Sequence, residues 1–272
     1  MYNNTEIGLV QTSLGPNVFG GLFSDEVNPE VTAYIDNGLF HAPHHNVKHK
    51  VAILVEPIVV TPAFYKWVEE NHALFDLILT HNKGLASKGE KFKYYPVWPR
   101  IWIPQKDRKI YPKSKMTSAI FSAQNITEGH RTRHAIAKRF SGQIDLYGRG
   151  YTPVDNKAEG LADYRYQVVV ENEKQGYASE KVNDCFCCGT VPIYWGNKNS
   201  NIVDYYEAEG ILMFETFEEL ENILMNVVSE EDYKSRLTAV KNNFVKARDL
   251  TLDKMYWDHG LGEFLSKIGV SK

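Results

Sequence analysis

The chain has 272 residues, of which 43% are hydrophobic, 12% aromatic and 24% charged, with 19 Gly and 11 Pro. At this length one large domain, or two of roughly 120–150 residues, can bury a substantial core, and the composition excludes disordered, collagenous and coiled-coil classes. The formal charge of -3 provides no broad positive field for nucleic acid or an anionic membrane, so an anion must be bound by a local arrangement.

From the amino end, MYNNTEIG lacks the basic and apolar regions of a signal peptide. HAPHHNVKH gathers His41, His44, His45 and His49, but Pro43 discourages the helix that metal binding at this spacing needs, and the stretch reads as a polar loop. KVAILVE (Lys50 to Glu56) reads as a buried strand ending in a carboxylate. The longest apolar stretch, VAILVEPIVV, is too short to span a bilayer and is split by Glu56. Thr61 and Pro62 open an amphipathic helix through TPAFYKWVEENHAL, and FDLILTH (Phe75 to His81) reads as the next strand. Tyr94, Tyr95, Trp98 and Trp102 are either exposed stacking surfaces or core residues. PQKDRKIYPKSK (Pro104 to Lys115), charged and bounded by prolines, reads as a linker. It divides the chain into a first domain, 1–112, and a second, 113–272, whose last helix is free to pack back on the first.

Downstream the alternation recurs. TSAIFSA (Thr117 to Ala123) is a strand, Glu128 to Phe140 helical, QIDLYG (Gln143 to Gly148) a strand, and RYQVVVEN the next strand. A helix over Ser179 to Cys188, then VPIYW, ILMF and a surface helix at FEELENILMNVV, complete the pattern. Strands separated by helix-length segments imply parallel sheets covered on both faces, and two such domains imply a cleft with ligands beyond the carboxyl ends of the strands. The only cysteines, Cys185, Cys187 and Cys188, lie within four residues. They cannot staple distant segments, and they read as small apolar side chains in a reducing, cytoplasmic setting.

The densest stretch runs from Asp163 to Gly196. A β-branched strand ends in Glu171 and Asn172, a glycine-containing loop carries Tyr177, Ser179 stands at an N-cap, and Gly189 supplies the stop. The amides near Glu180 and Lys181 then sit at a helix start suited to phosphate, to which Lys181 adds a full charge, while the Glu180 carboxylate can accept hydrogen bonds from a ribose. A solvated, capped helix start accounts for the same spacing.

The segment YRYQVVVENEKQGYASEKVNDCFCCGTVPIYWG resembles the signature of family 10 glycosyltransferases, the α1,3/4-fucosyltransferase family. The likeness covers roughly Thr117 to Thr216, with shorter agreement around VAILVEP and FDLILTHNKGLASKGEKFKYYPVW. It implies an α/β, GT-B-like fold of two Rossmann-like domains facing across a cleft, with the carboxyl-terminal one holding GDP-fucose. Carried over, Asn172, Tyr177, Ser179 (where the family has Thr), Glu180 and Lys181 line the donor site, Glu180 on the ribose and Lys181 on the pyrophosphate. The family's arginine at the start of the first helix of that domain corresponds to Arg133, with Arg131 a rival, and a guanidinium there would grip pyrophosphate oxygens. An inverting displacement needs a base on the acceptor side. Glu56 is the candidate, since the end of a buried strand would raise its pKa by desolvation, and Glu69, Glu70 or a plain strand-end carboxylate are the alternatives.

The resemblance implies a soluble bacterial or viral type without the membrane anchor or stem of animal members. Its partners are a nucleotide sugar and a glycan acceptor, with no nucleic acid. No D-x-D triplet of metal-dependent glycosyltransferases occurs, so no metal or cofactor is required beyond the donor GDP-fucose. P-loop and dinucleotide fingerprints are absent. The rival readings are a GT-B transferase using another nucleotide sugar and a nonenzymatic carbohydrate- or nucleotide-binding relative.

Overall fold

The computed structural model describes residues 7–11, 23–24, 26–174 and 176–270. The chain forms two compact units: residues up to Trp98 together with those from Thr251 onward, and Pro99–Leu250.

In the first unit, β1 (Ile7–Val10), β2 (Phe23–Ser24), β3 (Val31–Ile35), β4 (His49–Leu54), β5 (Leu77–Thr80) and β6 (Phe92–Tyr94) form one parallel sheet in the order β2-β1-β3-β4-β5-β6. Helix α1 (Pro62–Asn71), with Pro62 in its first turn, buries Tyr65 and Val68 in a core with Tyr34, Ala52, Leu54 and Ile78. A short helix, α2 (Lys83–Ala86), joins β5 to β6. The histidine-rich stretch differs from the loop expected: Asp36–His44 is a 3₁₀ run with Pro43 inside it. A 3₁₀ turn is short enough to absorb one missing donor.

In the second unit, β7 (Lys115–Ile120), α3 (Glu128–Arg139), β8 (Asp145–Tyr147), β9 (Tyr164–Val169), α4 (Glu180–Cys187), β10 (Val191–Trp195) and β11 (Leu212–Phe214) alternate. They are followed by α5 (Phe217–Asn222) and α6 (Glu230–Arg248). All strand pairs are parallel, in the order β11-β10-β9-β7-β8. Helices α7 (Leu252–Tyr256) and α8 (Gly262–Lys267) belong to the first unit. Strands β9 and β10 are almost wholly buried, which is why they read as continuous apolar runs rather than alternating ones.

The unit boundary lies at Trp98, ahead of the linker expected at Pro104 to Lys115 and of a division at residue 112. The physical reason lies in α4. Its buried Asp184 accepts hydrogen bonds from the amides of Trp102 (2.7 Å) and Ile103 (3.2 Å), and Lys113 Nζ donates to the Cys188 carbonyl (2.8 Å) and Thr190 Oγ1 (3.0 Å). These bonds fasten the charged, proline-bounded segment to the second unit. Cys185, Cys187 and Cys188 are fully buried, and burial pushes their thiols up, away from the reactive thiolate. Among the described residues no helix is long and apolar enough to cross a membrane.

Candidate active site

Strand β7 leads through α3 to β8 on one side, whereas β9 and β10 lie on the other, so the chain reverses its direction across the sheet between β7 and β9. Ligands of open parallel sheets bind outside the strand ends at such a reversal, because the two following connections diverge there and leave a crevice. A cavity of about 1100 Å³ lies at this place, just above the roughly 300–1000 Å³ usual for small-molecule sites. Residues Ile120–Gln124 at and after the end of β7, Gln167–Val170 at the end of β9 and the start of α4 line it.

Two glycines allow the walls to close. Gly129, in the first turn of α3, lies so near the end of β9 that a Cβ would fall 1.8 Å from the Glu171 carbonyl oxygen. Gly148, after β8, has φ +102 and would place a Cβ 2.2 Å from the Phe121 carbonyl oxygen. A side chain at either position would separate the loops that form the crevice.

The expected donor residues fall into two clusters. Arg133, buried on α3, donates from Nε (2.9 Å) and Nη2 (2.6 Å) to the Val170 carbonyl and from Nη2 to Asn172 Oδ1 (2.9 Å). Its Nη1 has no hydrogen-bond partner among the described residues, and the residue lines the cavity. Burial lowers the pKa of Arg133 while Glu171 and Glu180 oppose the shift, and a guanidinium remains charged regardless. Arg131 lies on an exposed face, with Nη1 donating to the Ile126 carbonyl (3.3 Å), and takes no part in the lining. The buried positions of α3, Gly129, His130, Arg133, Ile136 and Ala137, form one helical stripe, and that periodicity is a signal capable of separating the two arginines.

The second cluster surrounds Glu171, whose side chain is wholly buried. Its carboxylate accepts from the Ser179 amide (2.8 Å), Ser179 Oγ (2.8 Å) and Lys181 Nζ (2.9 Å). Ser179 also caps α4, its Oγ accepting from the Lys181 amide (3.4 Å). Burial acts against the Lys181 charge, but Glu171 and Glu180 outweigh it and its pKa lies above the usual value. Burial likewise acts against the Glu180 charge, yet Lys181 and Lys157 bring that carboxyl down to about 2. Glu180 and Lys181 both line the cavity; Ser179, Asn172 and Tyr177 do not. Tyr177 is buried, and its carbonyl accepts from Tyr194 Oη (2.7 Å).

Sequence reasoning passed over Arg149, Lys157 and Asp184, which also line the cavity. Arg149 is flanked by Gly148 and Gly150, both at positive φ, and an arginine between two glycines beyond a strand end is a readable sign. Lys157 Nζ lies 3.0 Å from Asp184 Oδ2 and 3.8 Å from Glu180 Oε1, a cross-segment pairing that no local pattern announces. The lining therefore carries four cations (Arg133, Arg149, Lys157 and Lys181) against two carboxylates (Glu180 and Asp184), with apolar walls from Phe121, Val154, Leu161 and Val168. This is an excess of positive charge suited to a bound anion. Of the four aromatics singled out, Tyr95 and Trp98 are core residues, whereas Trp102 is 47% exposed and borders the cavity.

Glu56 lies in the first unit, two residues past β4, and is half-buried. Its alternatives, Glu69 and Glu70, are exposed on α1 and pair with Lys88 (3.0 Å) and Lys66 (3.8 Å).

One titration in the second unit is tied to these clusters. His130 accepts from the Thr127 amide at Nδ1 (3.1 Å) and closes the capping box of α3. Burial, then the charges of Arg133 and Lys181, pull its pKa down to about 4. Between about 6.5 and 4 the unfolded chain binds a proton that the folded one refuses, so stability falls as pH drops through that window. His130→Gln keeps a capping-box side chain and removes the titration. Urea unfolding at pH 7 and pH 4.5 is expected to show a smaller acid loss in this variant, and an equal loss would refute the assignment.

Two parallel-sheet α/β units, one with a cavity at its strand-end reversal, define the chain as a GT-B fold. Solved structures share this fold. A TarM crystal structure matches with a TM-score of 0.54 and 13% identity over 86% of this chain and 54% of that one. An S. aureus TarM mutant in complex with fondaparinux, alpha-GlcNAc-glycerol and UDP matches with a TM-score of 0.55 and 12% identity over 86% and 55%. At those identities the likeness is one of fold. In sequence, the chain is 31% identical over 91 residues to the alpha-(1,3)-fucosyltransferase FucT of Helicobacter pylori, a match covering 32% of this chain and 16% of that protein. The chain thus spans about half of the TarM structures and a small part of the fucosyltransferase. No family model matches.

Proposed function

We propose that the protein is an inverting glycosyltransferase that moves fucose from GDP-fucose to a hydroxyl of a glycan acceptor. The observation that carries this reading is the cavity of the second unit, where Lys181, Arg133 and Glu180 meet at the strand-end reversal beside the α4 terminus. The partial likeness to the Helicobacter pylori enzyme supports fucose as the sugar. In this mechanism the acceptor oxygen attacks the anomeric carbon as its proton passes to Glu56, and the bond to the β-phosphate oxygen breaks with inversion. Lys181, Arg133 through Nη1 and the α4 amides take up the charge gathering on the departing GDP. Glu180, held ionised by Lys181 and Lys157, accepts from the ribose hydroxyls. Asn172 and Ser179 act behind them, Asn172 on Arg133 and Ser179 on the Glu171–Lys181 pair.

A second reading has one observation in its favour: a TarM structure of the same fold contains UDP, and a Glu–Lys pair at a helix start selects ribose and diphosphate rather than the base. A melting panel with GDP, UDP and their sugars separates the two. A nucleotide at about 100 times its Kd adds about 2.7 kcal/mol, or about 5–10 °C for a unit of this size. Selective stabilisation by GDP is the expected result, and a response to UDP alone would move the reading to another nucleotide sugar. Fucose transfer to a glycan then separates an enzyme from a binding relative.

A further inference from the structure

The turn that carries Glu56 is held at successive backbone atoms. Tyr95 Oη donates to the Leu54 carbonyl (2.6 Å), and Tyr65 Oη donates to the Glu56 carbonyl (2.8 Å) while lying 3.0 Å from His81 Nε2. The amides of Val55 and Glu56 donate to the two carboxylate oxygens of Asp36, at 2.8 and 3.3 Å. Asp36 directly follows β3 and is 1% exposed.

The backbone of Asp36 explains how its side chain reaches those amides. Strands β3 and β4 are in register up to Ile35 opposite Ile53, so the next bonds of the ladder would come from the backbone after Ile35. Asp36 instead takes φ +47, the one positive value outside glycine among the described residues. This turns the main chain into the 3₁₀ run and leaves the carboxylate to replace the ladder. Side chains other than glycine avoid this conformation, and it persists where neighbouring structure compels it, commonly at functional sites.

We propose that Asp36 is a positioning residue for Glu56: by binding two successive amides of the turn, its carboxylate fixes where the Glu56 carboxylate is presented. This inference rests on Glu56 being the acceptor base. The two acids are also coupled electrostatically. Desolvation pushes Asp36 up to about 7, its bond from the Val55 amide opposes this, and the Glu56 charge adds to the rise. The polar groups gathered at this edge are the phenols of Tyr65, Tyr95 and Tyr256 and the His81 imidazole. Tyr256 is held protonated by burial and by Asp36 itself.

A double-mutant cycle in the full chain, read as GDP release from GDP-fucose with a glycan acceptor, tests the assignment. Folded Asp36→Ala is expected to lose kcat by about 10²-fold with the donor KM unchanged, as a misplaced catalytic group does. Asp36→Asn, which keeps an acceptor for the Val55 amide, should recover part of the loss. In a Glu56→Gln background, Asp36→Ala should take away nothing more. A loss that repeats in full in that background marks a general folding effect and overturns the proposal. Full turnover by Glu56→Gln alone would instead remove the acceptor-base reading on which the proposal rests. Carboxyl carbon-13 NMR provides a readout independent of turnover and of how well Asp36→Ala folds. The Asp36 midpoint near 7 should move down in Glu56→Gln, and an unmoved midpoint means the two acids do not act together.

Discussion

Glu56→Gln is expected to leave GDP binding intact and to reduce transfer by about 10²- to 10⁴-fold, the usual cost of removing a general base. The amide matches the carboxylate in size but cannot take the acceptor proton. The turn should keep its shape, because the bonds holding it run through the backbone, from Tyr65 to the Glu56 carbonyl and from the Glu56 amide to Asp36. Among the described residues the cavity proposed for the donor is lined by the second unit alone, so calorimetric GDP affinity should equal that of the wild type. Loss of GDP binding in this variant would remove Glu56 from the acceptor side.

Lys181→Ala is expected to damage both stability and donor binding, for separable reasons. Glu171 is wholly buried and takes one of its hydrogen bonds from Lys181 Nζ; without it the carboxylate retains its bonds from Ser179 but loses its counter-charge. Breaking a buried pair from one side costs about 3–5 kcal/mol. The lower end applies, since the Lys181 side chain is 25% exposed and water can enter its place. The expected fall in Tm is then about 6–12 °C. Loss of a charge-assisted hydrogen bond to pyrophosphate, about 1.5–3 kcal/mol, should weaken GDP binding about 10- to 150-fold. Adding Glu171→Gln removes the stranded charge and should restore most of the stability but none of the affinity. Unchanged GDP affinity in Lys181→Ala would refute the pyrophosphate role.

Several features of the site are legible locally. Ser179 as N-cap and Gly189 as stop bound α4 in the sequence, and the structure has the helix at Glu180–Cys187 with Ser179 as its cap. Both are local chemistry, a side-chain oxygen on an amide and a residue free to take positive φ. The apolar runs of β4, β9 and β10 announce parallel strands because both faces are covered, and alternation with helices announces the two α/β units.

Other features depend on segments far apart in the chain. Pro104 to Lys115 has the composition of a linker, yet Asp184, some eighty residues away, binds the two residues just ahead of it, and Lys113 within it binds Cys188 and Thr190. Glu171 reads as a polar strand end, and only the fold shows its carboxylate buried against Ser179 and Lys181. Arg131 and Arg133 are two residues apart and hence on different sides of α3; Ile136 and Ala137 mark the covered side, but that Val170 and Asn172 are what Arg133 meets there is decided by the fold. Asp36 carries no motif at all, and its reach to the turn after β4 exists only once two strands are paired. The sequence alone determined the class of fold and the helix start, since periodicity and capping act within a few residues. The tertiary structure decided which charges share the cavity, since electrostatic and packing partners are chosen by proximity in space rather than along the chain.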